Sequence, residues 1–98
     1  MELKLTIDGK KKTFKPMPNL PALRFKQATN HATQLEEHFS IECLEACVEF
    51  LANDIYGGKF TSEQFWNGCP AEDLITSVRD SLAHPMMLMR SKLEPLKN

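Results

Sequence analysis

No run of apolar residues in this 98-residue chain approaches the roughly 18–20 that a helix needs to cross a bilayer. The opening Met1-Glu2-Leu3-Lys4 has neither the charged start nor the apolar stretch of a secretory signal. Cysteines are few and odd in number, Cys43, Cys47 and Cys69, and they lack the dense spacing of a secreted disulfide scaffold. Together these absences point to a cytoplasm and to no membrane partner. The four glycines build no phosphate-cradling loop; Gly57-Gly58 lacks the flanking spacing and reads as a helix stop. A net charge of −1 also withholds the basic balance expected of a nucleic-acid-binding domain.

What is present suits one small domain. The apolar share, 42%, is that of an ordinary globular chain, so a core can form, although a small one. Charge is unevenly spread. Residues 1–26 hold Lys4, Lys10, Lys11, Lys12, Lys15, Arg24 and Lys26 against Glu2 and Asp8, a net +5. Residues 27–80 hold ten acids against Lys59 and Arg79, a net −8, and residues 81–98 return to +2. Basic ends around an acidic middle suit neutralisation within the fold or head-to-tail stacking between copies.

The order of elements predicts an α+β fold, an N-terminal β-hairpin packed on three to four helices. Leu3, Leu5 and Ile7 alternate with polar residues, Asp8-Gly9 suits a type I′ turn, and Lys10–Lys15 returns with Thr13 and Phe14 as strand formers. Lysines on that strand discourage edge-to-edge pairing. A first helix is expected with Asn19 as cap and Pro21 in its first turn, burying Phe25, Ala28, Ala32, Leu35 and Phe39. Ser40 caps a second, whose apolar face is Ile41, Leu44, Val48, Leu51 and Ile55. Thr61 and Gln64 form a capping box ahead of Phe65 and Trp66. Pro70 opens a last helix burying Ala71, Leu74, Ile75, Val78 and Leu82, which Pro85 is expected to end. The chain thus divides into a domain over residues 1–85 and an apolar segment over 86–98, helical or ordered on binding.

Chemistry finds little to work with. Cys43 and Cys47 share a helix face, and Cys69, His31, His38 and His84 offer further ligands, but a structural zinc site wants two short-spaced pairs. Small core cysteines are the plainer reading. Cys69 precedes a helix N-terminus, where the dipole favours a thiolate, yet it is also where a small residue would sit merely to lead into Pro70. Glu42, Glu45 and Glu49 share one helix face and provide no pair of differing environments for acid–base work; they are a solvated face or half of an acidic docking surface. No catalytic, metal or cofactor residues are assigned, and no enzyme activity is expected.

Protein binding remains. Met86-Met87-Leu88-Met89 follows Pro85, and Met86, Met89, Leu93 and Leu96 recur at helical spacing. Methionine suits adaptable apolar contacts, so Met86, Met87, Leu88, Met89 and Leu93 are the candidate partner-binding residues. Packing of this run back on its own domain, or between two copies, is the competing reading. Lys10, Lys11, Lys12 and Lys15 are secondary candidates, and a small regulatory or nucleic-acid-binding protein using that basic hairpin is the alternative function. It is disfavoured as a whole, since acidic helices follow and no helix carries a base-reading cluster.

The segments Leu3-Lys4-Leu5-Thr6-Ile7-Asp8-Gly9-Lys10-Lys11-Lys12-Thr13-Phe14 and Gly58-Lys59-Phe60-Thr61-Ser62-Glu63-Gln64-Phe65-Trp66-Asn67-Gly68, followed by Leu74-Ile75, complete the pattern. In this order the chain resembles tail assembly chaperones of long-tailed phages of Gram-positive bacteria. The resemblance implies a non-catalytic protein of the host cytoplasm, absent from the finished virion, that binds the tape-measure protein during tail morphogenesis. It also implies self-association and a C-terminally extended form made by ribosomal frameshifting, for which Lys97-Asn98 offers a codable slippery run.

Overall fold

The computed structural model describes residues 2–93, except for the side chains of Lys92 and Leu93. Two strands, β1 (Leu3–Ile7) and β2 (Lys10–Phe14), are followed by helices α1 (Ala22–Glu37), α2 (Ile41–Phe50), α3 (Ser62–Gly68) and α4 (Leu74–Leu93). The expected α+β class holds. Asp8 and Gly9 both adopt positive φ, 53° and 77°, as a type I′ turn requires, and this sets the antiparallel register Ile7↔Lys10 through Leu3↔Phe14. Leu3 and Leu5 are buried, whereas β2 is exposed except for half-buried Phe14, whose ring meets Phe60 edge-on at 5.0 Å.

α1 starts later than its sequence suggests. Asn19 has φ 57°, left-handed and unlike the extended backbone of an N-cap. Pro21 takes that place instead, at φ −69° and ψ 158°, and its carbonyl accepts from the Arg24 amide. The connection leading there is pinned to the end of the second helix: the Met17 amide donates to the Ile55 carbonyl at 2.8 Å, and the Lys59 ammonium donates to the Lys15 carbonyl at 2.9 Å.

Ser40 caps α2 as expected, accepting from the Cys43 amide at 3.0 Å. The helix then widens into a π-helical stretch, Leu51–Ile55, closed by the Tyr56 amide on the Leu51 carbonyl, before Gly57 and Gly58 end it at positive φ. Leu44, Cys47, Val48, Phe50, Leu51, Ala52, Ile55 and Tyr56 are all in the core, a wider face than the five residues that periodicity alone marks, while Glu42, Glu45 and Glu49 stay exposed. Conversely, Phe39 and Ile41, both expected to be inside, are 60% and 61% exposed. Phe39 lies beyond the end of α1, and Ile41 occupies the overhanging first turn of α2, so neither follows the inward stripe.

Thr61 and Gln64 form both bonds of the capping box on α3. Phe65 of this helix is buried while Trp66 stays 37% exposed. Gly68 is where α3 meets β1: a methyl placed on it would come within 2.6 Å of the Thr6 carbonyl oxygen.

The fourth helix departs most from expectation. Pro70 leads into a 3₁₀ turn, Ala71–Asp73, and α4 continues through Pro85 to Leu93, about 30 Å of helix. An internal proline leaves the carbonyl four residues back without its amide partner, and here that residue is Ser81. α4 runs antiparallel to α1, with Arg79 paired to Glu36 at 2.7 Å toward one end and Leu88 facing Leu20 and Phe25 at the other. Pro85 is itself buried against this pairing, so packing offsets the lost bond and the helix carries on. In the interior, Tyr56 and Ser81 hydroxyls share a hydrogen bond of 3.0 Å, tying α4 to the π turn.

The close approach at Gly68 yields a test. Gly68→Ala is expected to lower stability by about 1–3 kcal/mol through overpacking against the hairpin backbone, although alanine is the better helix former. Urea denaturation reads it; an unchanged or raised midpoint would show that α3 and β1 are not seated in this way.

Candidate functional site

The apolar end of α4 gathers most of the partner-binding candidates. Met86 is half-buried, whereas Met87, Leu88 and Met89 are 61%, 43% and 40% exposed. Leu93 is the last residue of the helix, and its side chain falls outside the described residues. Because α4 stays helical past Pro85, these side chains point in different directions at about 100° per residue. Leu88 and Met89 turn toward α1 and, with Leu20, Phe25 and Pro85, line a groove of about 440 Å³. Met87 lies outside that lining.

The α1 wall of this groove was not legible as a site. Phe25 belongs to the apolar stripe of α1, and only the late start of that helix places it, half-buried, at the mouth between two helices. The proline-rich approach, Pro18 and Pro21 around Asn19-Leu20, is the one signal that pointed to an irregular wall here. Arg24, next to Phe25, is drawn away to Asp54 at 3.4 Å and to the Gln27 side chain at 2.7 Å.

Lys10, Lys11, Lys12 and Lys15 are exposed on the hairpin and its exit. None of them lines the α4 groove.

The cysteine and histidine candidates are only partly brought together. Cys47 Sγ lies 3.9 Å from His31 Nδ1, and the His31 ring stacks on Phe50 with centroids 4.7 Å apart. Burial pushes the Cys47 thiol up to about 11, with neighbouring Cys43 adding to it, so the sulfur stays protonated at neutral pH. Cys69 Sγ sits near the Ser77 hydroxyl, and burial raises its pKa too. The expected help from a helix dipole does not materialise, because the turn after Pro70 is 3₁₀ and carries Glu72 and Asp73. Among the described residues no three His, Cys, Asp or Glu side chains are grouped to hold a metal ion. Nor is any helix among them long and apolar enough to cross a membrane.

A hairpin of this register, a capped aromatic α3 packed on it and a long α4 form one architecture, and a family match covers the chain as far as Met87 within α4. The family model described as "Phage tail chaperone protein" matches residues 1–87. The chain belongs to the phage tail chaperone family. Comparisons with curated proteins and with solved structures return no match. The match runs from the hairpin into the methionine run of α4 and so takes in Met86 and Met87. A tail chaperone has tail proteins as its partners, which directs interest to the exposed apolar end of α4 rather than to the thiols.

The His31 contact makes a pH prediction for this chaperone. Burial holds its pKa below the usual value near 6.5, against the opposing pull of Asp54. The unfolded chain therefore takes up a proton at higher pH than the folded one. Stability from this residue is present above about pH 6.5 and is lost as pH falls below it. Urea midpoints measured from about pH 7 down to about pH 5 should decline, and less steeply in His31→Gln. Equal slopes in the two proteins would place the pH sensitivity elsewhere.

Proposed function

We propose that this phage tail chaperone binds the tape-measure protein during tail morphogenesis, through the apolar end of α4 and without catalysis. One observation carries the reading. Met87, Leu88 and Met89 stand exposed at the end of a helix whose Val78, Leu82 and Pro85 are buried. Consecutive large apolar side chains in water are costly unless a partner covers them, at roughly 25 cal/mol per Å² of apolar surface. A tape-measure protein is long and helical, so it calls for repeated, weak and adaptable contacts, and methionine provides these.

In this reading residues 86–98 are the contact segment and residues 1–85 the body that presents it. Met86 and Leu93 extend the contact along the helix, Lys10, Lys11, Lys12 and Lys15 supply a second, electrostatic one, and copies associate along the tape measure. The protein works in the host cytoplasm and leaves before the virion is complete. A frameshifted, C-terminally extended form shares the same body.

Co-expression with the tape-measure protein of the same phage tests this. A soluble complex is expected, and replacing Met87, Leu88 and Met89 by serine should cut recovery of the tape measure about tenfold or more. Far-UV circular dichroism of the variant should be nearly unchanged, because these side chains lie outside the core. If the tape measure stayed insoluble and unbound beside the intact chaperone, the reading would fail. Steeply salt-dependent DNA or RNA binding, lost on replacing the hairpin lysines, would turn it toward the basic hairpin instead.

A further inference from the structure

The hairpin has two outer edges, and they are not alike. A two-residue type I′ turn closes on a hydrogen-bonded pair, here Ile7 and Lys10, and such pairs alternate with non-bonded ones along the register. Leu5↔Lys12 and Leu3↔Phe14 are therefore bonded, while Thr6↔Lys11 and Lys4↔Thr13 turn their backbone groups outward. At the β1 edge α3 covers them, with Gly68 lying against the Thr6 amide nitrogen and carbonyl oxygen. The β2 edge is open. Among the described residues no backbone group of another element bonds the outward amides and carbonyls of Lys11 and Thr13, and Lys10, Lys11, Lys12 and Thr13 are all exposed. Four backbone groups spread over about 7 Å thus face water as half of a ladder.

Charge sits on the same edge. Lys10 and Lys12 share one face of β2 about 7 Å apart, and Lys11 takes the other. No carboxylate relieves their mutual repulsion, since among the described residues the ion pairs are those of Arg24 and Arg79. A strand laid along this edge would hold its side chains within the roughly 8 Å over which charges act at physiological salt.

These features select the occupant. A second copy of β2 would set lysine against lysine. The chain holds no acidic extended segment of its own to offer a neighbour: β1, β2 and the connections 15–21, 38–40, 56–61 and 69–70 contain no Asp or Glu. Nucleic-acid phosphates would answer the lysines and the two amides, but they supply only acceptors and leave the two carbonyls unanswered. An extended peptide answers both, because each of its residues carries a donor and an acceptor.

We infer that the β2 edge takes up an extended acidic segment of another protein as a third strand of the sheet, with its carboxylates set among Lys10, Lys11 and Lys12. The site goes beyond the tape-measure contact proposed for α4 and stands without it. Backbone pairing supplies the third strand, while the lysines reject segments that are neutral or basic.

Two ten-residue peptides provide the probe, one alternating glutamate with threonine and the other lysine with threonine. Fluorescence anisotropy should find the glutamate peptide bound about tenfold tighter or more near 0.15 M salt. Methylating its backbone amides keeps every charge and should cut affinity about tenfold or more. Thr13→Pro removes an outward amide hydrogen and no ladder bond; it should weaken binding alike, with circular dichroism showing the domain folded. In the unaltered protein, adding the glutamate peptide should slow hydrogen exchange at the Lys11 and Thr13 amides, a reading that needs no variant. The serine variant of Met87, Leu88 and Met89 should bind the peptide undiminished, which keeps the two sites separate. Equal binding of the two peptides, or no exchange protection at Lys11 and Thr13, would overturn the inference. So would binding untouched by amide methylation and by Thr13→Pro, which is charge attraction without a third strand. A single-stranded oligonucleotide that binds the same lysines more tightly than the peptide would give the edge to nucleic acid. A peptide-free dimer in sedimentation that Thr13→Pro converts to monomer would give it to a second copy, and either result defeats the assignment.

Discussion

Burial of the stretch from Leu44 to Tyr56 is the constraint on which the rest of this protein depends. Helix α2 and its π-helical continuation place eight side chains between Leu44 and Tyr56 into the core, and the other elements pack around that broad face. The hairpin exit, α1 and α4 are fastened to the same stretch by polar contacts as well. The hairpin exit reaches it through the Met17 amide and the Ile55 carbonyl, α1 through Arg24 and Asp54, and α4 through Ser81 and Tyr56. The polar contacts set register, whereas apolar burial supplies most of the driving force. A π turn suits this role. The turn closes with the Tyr56 amide on the Leu51 carbonyl, and Ile55 and Tyr56 are both fully buried where it ends.

A chain of this length cannot cover every apolar side chain it carries. With the centre filled by α2, the surplus is displaced to the periphery, at Met17 before α1, Leu23 on α1, Phe39 and Ile41 by the α1–α2 corner, Trp66 on α3 and Met87, Leu88 and Met89 on α4. The last of these coincides with a groove whose second wall is Leu20 and Phe25 and whose lining includes a buried proline. Tail assembly chaperones act on tail proteins, and a surface of this type serves that task better than any of the thiols or carboxylates. Cys47 and His31 are neighbours within the packing, with the sulfur held protonated by burial, and Glu42, Glu45 and Glu49 remain a solvated face.

Much of the fold was legible residue by residue. Alternation at Leu3, Leu5 and Ile7, the Asp8-Gly9 turn, the Ser40 cap, the Thr61–Gln64 box and the Gly57-Gly58 stop are each decided within a few positions, and each appears where expected. The misses share a cause. Phe39 and Ile41 fit the apolar periods of α1 and α2, but periodicity carries no information about where a helix ends or which turn overhangs its neighbours. Asn19 has the composition of a cap and the backbone of a left-handed turn, because the connection is held by Ile55 and Lys59, far away in sequence. Met87, Leu88 and Met89 could be singled out as a run, yet Leu20 and Phe25 could not be joined to them.

By itself, then, the sequence determined the elements with local causes, the α+β class, the acidic and basic division of the chain, and the presence of an apolar segment after Pro85. Tertiary structure alone decided that α4 runs on through that proline, that Cys47, Phe50, Ala52 and Tyr56 join the buried face of α2 and its continuation, and that an α1 wall faces Leu88 and Met89. The physical reason is the range of the interactions. Turns and caps are satisfied by groups a few residues apart, whereas a proline inside a helix, a π turn and a groove are stable only through contacts between segments distant along the chain.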